Sequence, residues 1–219
     1  MIVLKGRGLL AAIVICAAVL AAAGAGWAWK SSRGKSELDA NNAWVEIERV
    51  RAADSLIGDS HEKIRLAGIR APLPGEPLFE ESKNFVEELV AGEDVRLRFD
   101  QEKRDKKGRY LAYVFIGDDF LNFRLVREGL AYVRLTTVTR RYADDLLAAQ
   151  TDARREKRGL WRKQTATPRS EYWADPKYGN FHGPDCAERG KGDPARMVTL
   201  RARDEAFERG FAPCAKCKP

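Results

Sequence analysis

Apolar positions follow three regimes along this chain. Residues 9–29 form an unbroken run of 21 residues without a single charge. At about 1.5 Å per residue, a helix of that length spans roughly 31 Å, close to the hydrocarbon thickness of a bilayer. Lys5 and Arg7 precede the run, Lys30, Arg33 and Lys35 follow it, and Trp27 and Trp29 stand at its end, where amphipathic rings favour the membrane interface. The pattern predicts a single-pass transmembrane helix within an N-terminal anchor over residues 1–29. A cleaved signal peptide, with its apolar centre at 9–20 and small residues at 21–26, is the other reading. The flanking basic residues are nearly balanced, so the positive-inside rule sets no orientation. A short basic N-terminal tail favours an extracytoplasmic globular part, or a secreted one after cleavage.

Residues 30–42 are polar and small and predict a linker. From residue 43 the second regime begins. Residues 44–50 and 63–69 are rich in β-formers, with a Gly58-Asp59 turn between them. Residues 80–91 carry Phe85, Val86, Leu89 and Val90 at helical spacing. Residues 95–99 alternate as a half-buried strand should, and 110–116 supply another, joined to it by the basic hairpin 101–109. A short helix over 122–128 closes at Gly129, a last strand is expected within 130–135, and 141–158 read as a long amphipathic helix ending at Gly159-Leu160-Trp161. Short antiparallel strands with helices at one end predict an α+β domain over residues 43–163, a five-stranded OB-type barrel with covering helices. Residues 164–170 predict a second linker. The third regime, residues 171–219, is too short to bury a core of its own, and a metal staple would help it fold.

The formal charge of +7 suits contact with nucleic acid or an anionic membrane face, although many basic proteins have no such partner. Of the four cysteines, Cys16 lies in the apolar run, and Cys186, Cys214 and Cys217 crowd the C-terminus. Three is an odd number, which argues against a closed disulfide framework and for metal binding or a leftover thiol.

Four stretches stand in register with one known family: Ile64-Arg65-Leu66-Ala67-Gly68-Ile69-Arg70-Ala71-Pro72, Asp105-Lys106-Lys107-Gly108-Arg109-Tyr110-Leu111-Ala112-Tyr113, Leu125-Val126-Arg127-Glu128-Gly129-Leu130-Ala131, and Arg158-Gly159-Leu160-Trp161. The chain from residue 50 to 161 thereby resembles the thermonuclease (micrococcal nuclease) family. The resemblance implies an OB-type barrel and calcium-dependent hydrolysis of DNA and RNA phosphodiesters. Two arginines would hold the phosphate, an acidic pair the metal, and a glutamate would stand beside the attacking water. Forked guanidiniums and a divalent ion together stabilise the charge on a phosphate under attack, and the water needs a proton acceptor.

Carried over by position, the resemblance puts Arg65 and Arg109 on the two phosphate arginines and Asp54 on one calcium aspartate. The second metal aspartate is replaced by Arg70 and the base glutamate by Leu73, while Ala52 takes the place of a neighbouring acidic residue. Leucine accepts no proton, and a fixed cation repels calcium. Loss of a general base alone costs about 100- to 10,000-fold in rate. Glu76, Glu80 and Glu81 follow closely and could substitute. What survives reads as a phosphate-binding surface of Arg65, Arg70 and Arg109, with Lys103, Arg104, Lys106 and Lys107 nearby. Tyr110 and Tyr113 are candidate base-stacking platforms or, alternatively, core packing.

In the tail, His182 and Cys186 form a His-x3-Cys pair, and Cys214 and Cys217 a Cys-x2-Cys pair, separated by 27 residues. Four such ligands in two close pairs match a closed, structural zinc site; a disulfide between two of the cysteines is the competing reading. The segment also resembles the Ada-like metal-binding domain, with a short helix expected over 203–209 before the Gly210-Phe211-Ala212-Pro213-Cys214 ending. Arg189, Lys191, Arg196, Arg201 and Arg203 surround the site and could touch DNA or simply face solvent. Three functions fit: a tethered nucleic-acid-binding module with a degenerate catalytic site, a phosphodiesterase with rearranged carboxylates, or an envelope scaffold with no nucleic acid.

Overall fold

The computed structural model describes residues 42–162, 169, 171–188 and 192–219. The anchor, residues 30–41 and most of the second linker lie outside the described residues. Among the described residues no helix is long and apolar enough to cross a membrane.

The barrel strands are β1 (Ala43–Ala52), β2 (Ser55–Gly58), β3 (Lys63–Leu66), β5 (Asp94–Arg104) and β6 (Tyr110–Ile116), with a two-residue β4 (Ile69–Arg70) between β3 and β5. They run in the order β3-β2-β1-β5-β6. A parallel pairing of β3 with β6, Ile64 opposite Tyr110 and Leu66 opposite Ala112, returns the sheet onto itself. Closure removes the exposed edges that open sheets must protect. Period-two patterning drives it: Val95, Leu97 and Phe99 of β5 are buried, and Arg96 and Arg98 point the other way and cover Phe115.

Helix α1 (Phe79–Val90) follows the barrel turn and buries Val86 and Val90, with Glu80 and Glu81 in its first turn, where the helix dipole favours acids. Strand β7 (Asp119–Phe120) leads into α2 (Leu121–Arg127). There the fully buried Asn122 accepts from the Val114 amide (3.0 Å) and donates to the Ala67 carbonyl (2.8 Å), tying β6 to the turn after β3. Strand β8 is shorter than the sequence pattern suggests, Tyr132–Val133, and pairs with β4 so that Arg70 faces Tyr132. Helix α3 (Ala143–Arg155) follows. Gly129 and Gly159 then let two loops touch: a Cβ on Gly129 would sit 2.4 Å from the Arg158 carbonyl oxygen, and the Leu160 amide donates to the Gly129 carbonyl (2.9 Å). Two adjoining glycines, both at positive φ, seat the Gly-Leu-Trp turn against the end of α2.

The tail forms a four-stranded sheet of β9 (Tyr172–Asp175), β10 (Asn180–His182), β11 (Val198–Leu200) and β12 (Ala212–Pro213), with α4 (Arg203–Glu208) before β12. Its strands are two to four residues long, too short to announce themselves by periodicity. The tail buries Tyr172, Phe181, Phe207 and Phe211 together with Ala153 and Trp161 of the barrel domain, with Tyr132 packed against them. Residues 41–219 are accordingly one compact unit. Gln150 of α3 bridges the two halves, its side chain accepting from the Val133 amide (2.8 Å) and donating to the Phe207 carbonyl (2.9 Å).

Replacing Gln150 by Leu keeps the volume and strands both backbone groups. A buried polar group left unpaired costs about 1–3 kcal/mol. The urea midpoint of Gln150→Leu is expected to fall accordingly at unchanged slope, and an unaltered midpoint would show that the bridge contributes nothing.

Candidate functional site

Asp54 lies in the turn between β1 and β2 and is 1% exposed. Its Oδ1 accepts from Arg65 Nη1 (2.8 Å), and its Oδ2 accepts from the Ala71 amide (2.7 Å) and lies 2.8 Å from Arg65 Nη2. Both oxygens are therefore engaged. Burial pushes the Asp54 carboxyl above its ordinary range, against the pull of Arg65 and the Ala71 amide, and burial lowers Arg65.

Arg109 closes the hairpin between β5 and β6. Its Nε donates to Asp105 Oδ2 (2.7 Å), and the amides of Lys107 and Arg109 donate to Asp105 Oδ1 (2.9 and 3.1 Å). Arg70 is 6% exposed and gives Nη2 to both carboxylate oxygens of Glu76 at 2.8 Å. Glu76 also accepts from the Leu73 amide (2.9 Å), which brings its carboxylate beside the position the family gives to its base. The Leu73 side chain faces solvent, and Glu80 and Glu81 are exposed on α1.

A fourth arginine joins these, one that local sequence does not single out. Arg134, just after β8, gives its amide to the Gly68 carbonyl (2.8 Å) and its Nε to the Tyr178 carbonyl in the tail (3.0 Å). Burial and the charges of Arg65, Arg70 and Arg109 push it down to about 10, against the attraction of Asp54. The charges of Arg65, Arg70 and Arg109 all act on Arg134, which places the four guanidiniums in one electrostatic neighbourhood. Four cations meet the carboxylates of Asp54, Glu76 and Asp105, which leaves an excess of positive charge suited to an anion.

The surrounding candidates divide. Lys103, Lys106 and Lys107 lie exposed on the same hairpin. Arg104 covers the ring of Tyr110 at 3.8 Å. Tyr110 and Tyr113 are 2% and 0% exposed, and Tyr113 donates to Asp100 Oδ2 (3.1 Å), so both rings pack the core and neither offers a face to a base.

In the tail, His182 of β10, Cys186 in the following turn, and Cys214 and Cys217 after β12 place their ligand atoms within 4.8 Å of one another. His182 Nδ1 lies 3.3 Å from Cys186 Sγ, and the Trp173 ring stacks on the imidazole at 4.5 Å. The cysteines are free thiols. Burial pushes the Cys217 thiol up to about 12, and the neighbouring Cys186 and Cys214 act in the same direction. Such a group of soft donors could hold a metal ion. Arg196 is tied to Asp175 (3.2 Å) and Asp193, and Arg189 and Lys191 lie outside the described residues.

A closed five-stranded barrel with covering helices defines an OB-type fold. Residues 63–163 match the family described as Staphylococcal nuclease homologue. The chain is 31% identical over 138 residues to the thermonuclease of Staphylococcus intermedius, covering 59% of this chain and 82% of that protein. It is 30% identical over 132 residues to the thermonuclease of Staphylococcus hyicus, covering 56% and 78%. It is also 34% identical over 128 residues to a protein of Escherichia coli called an uncharacterized endonuclease, covering 56% and 79%. The chain belongs to the thermonuclease family.

Burial works against the Asp105 carboxylate, but the hydrogen bonds from the Arg109 side chain and from the Arg109 and Lys107 amides outweigh it and hold the group below its ordinary value of 3.8. A depressed acid adds stability that is present above 3.8 and is lost as pH falls through the lower, folded value. An NMR titration of Asp105 is expected to show an apparent pKa below 3.8. A value at or above 3.8 would mean that the clasp on Arg109 is not formed in solution.

Proposed function

We propose that this chain is a membrane-tethered nucleic-acid-binding protein that holds the phosphates of a single strand with arginines in place of the calcium its family uses. The observation that carries the reading is the environment of Asp54. The remaining aspartate has both oxygens engaged by Arg65 and the Ala71 amide, and Arg70 occupies the second metal position. A calcium ion takes six to eight oxygen ligands, and a donor set of one saturated carboxylate among four guanidiniums does not fit it. Arg65, Arg109 and Arg134 supply forked donors to phosphate oxygens, and Arg70 adds charge beside them. With Leu73 at the base position and the adjacent Glu76 carboxylate committed to Arg70, the catalytic site is degenerate.

One observation favours a second reading, that of an active phosphodiesterase. Glu76 is held next to the Leu73 amide and could take the proton of an attacking water. In the primary reading Glu76 stays paired with Arg70 and only positions it.

In the tail, His182, Cys186, Cys214 and Cys217 form an Ada-like structural zinc site, supported by the tight donor cluster and by its make-up of one His-x3-Cys pair and one Cys-x2-Cys pair. Zinc would convert three thiols to thiolates and fix the turns that follow β10 and β12. The charge-free run over residues 9–29 supplies the tether, and the short basic segment before it favours an extracytoplasmic barrel.

The full-length chain is tested against labelled single-stranded DNA with calcium, manganese or chelator, beside Arg65→Ala and Glu76→Gln. Binding without cleavage in every condition is expected. Cleavage that is lost in both variants would establish the second reading instead.

Binding should weaken steeply with salt, and each phosphate contact removed should lower the slope of log K against log salt by about 0.7. Arg134→Ala is therefore expected to flatten the slope as Arg65→Ala and Arg109→Ala do. A slope indistinguishable from wild type would remove Arg134 from the site.

Metal analysis of the purified chain is expected to find one equivalent of zinc. Less than that, with Cys186 in a disulfide, would overturn the tail assignment.

A further inference from the structure

A cavity of about 600 Å³ opens where the tail meets the barrel, well within the size range of small-ligand sites. Its walls combine two chemistries. Half-buried Tyr132 supplies aromatic surface, backed by the buried rings of Trp161 and Phe207, and Arg70, Arg203 and Lys218 supply cations. The Glu76 carboxylate in the wall is already committed to Arg70. Trp161 is 3% exposed, yet its indole N–H meets no acceptor among the described residues. A buried donor without a partner is costly, and a ligand that brings an acceptor relieves it.

The ring geometry leaves the aromatic wall edge-rich. Trp161 meets Tyr132 and Phe207 edge-on, at 5.3 and 4.8 Å between centroids with planes at 87° and 88°. An occupant with a flat apolar body, a hydrogen-bond acceptor on its edge and a negative charge satisfies all three parts of the lining. A nucleotide is such a molecule.

Arg70 connects this cavity to the arginine cluster. It lines the cavity, faces the Tyr132 ring at 5.9 Å, and its charge acts on Asp54, Arg65 and Arg134. We infer that the cavity is a nucleotide subsite, which accepts one base of a single strand whose neighbouring phosphate rests on Arg65 and Arg109. The inference rests on the proposed nucleic-acid binding and adds a base-dependent contact to it, built jointly by the barrel and the tail.

The test compares the full-length chain binding a deoxyadenosine hexamer and a fully abasic hexamer with the same number of phosphates, at one salt concentration. A hydrogen bond from the Trp161 indole to the base, with contact on Tyr132, predicts roughly tenfold tighter binding of the base-bearing strand. Trp161→Phe keeps the ring and deletes the N–H, and should weaken only the base-bearing strand, by about three- to tenfold. Leu160→Trp, which fills the cavity from its wall, should likewise remove most of the difference between the strands. Equal affinity for the two hexamers, or a preference untouched by both variants, overturns the subsite while leaving phosphate binding intact. Failure of both hexamers to bind overturns the functional reading on which the subsite rests. Adenosine monophosphate is added as a competitor. Displacement of the base-bearing strand at concentrations comparable to its own assigns the cavity to free nucleotides and overturns the strand-bound form of the inference.

Discussion

Asp54 holds a carboxylate withdrawn from water at the first turn of the barrel, and its satisfaction by Arg65 and the Ala71 amide organises everything around it. A lone buried carboxylate is intolerable, and a paired one fixes its partners in place. Here the partners sit at the two ends of the segment that leaves β3, passes Gly68 and enters β4. That segment in turn delivers Arg70 to Glu76 and its carbonyl at Gly68 to Arg134. The arginine cluster is thus a by-product of one electrostatic need inside the barrel. The guanidinium of Arg65 serves the fold through Asp54.

The tail participates in the same arrangement. Tyr178, in the turn between β9 and β10, fixes Arg134 through its carbonyl, and Gly179 beside it admits the close approach, since a Cβ there would fall 2.3 Å from the Leu135 oxygen. A metal on His182, Cys186, Cys214 and Cys217 would order the strands that carry this turn. The two sites then share more than a chain: order at the donor cluster bears on the position of a cation among the arginines.

Much of this was legible in local sequence. Arg65, Arg109 and Asp54 lie inside short segments with a family pattern, and the His-x3-Cys and Cys-x2-Cys pairs declare their chemistry by spacing alone. Helices α1 and α3 followed from apolar spacing to within three residues at each end. Arg134 and the grouping of Tyr132, Trp161 and Phe207 were not legible, because each depends on contacts between segments 29 to 75 residues apart. Strand β2, at four residues, gave no periodic signal, and a strand tyrosine such as Tyr110 or Tyr113 reads equally well as a stacking platform or as core packing. Glu76 lay between these cases. Its proximity to Leu73 is read from sequence, but its capture by Arg70 is a matter of how the turn before α1 folds.

The core that joins Trp161 to Phe207 and Phe211 has a consequence for the continuity of the chain. Backbone connection across residues 163–168 is not what keeps the halves together; the aromatic cluster, the Gln150 bridge and the Leu135 amide on the Gly210 carbonyl do that without it. A protein cut there by a protease would behave as a split pair, two fragments that stay associated and that could reassemble when supplied separately. The tail acts less as an appended domain than as a tightly bound subunit that happens to be encoded in the same chain.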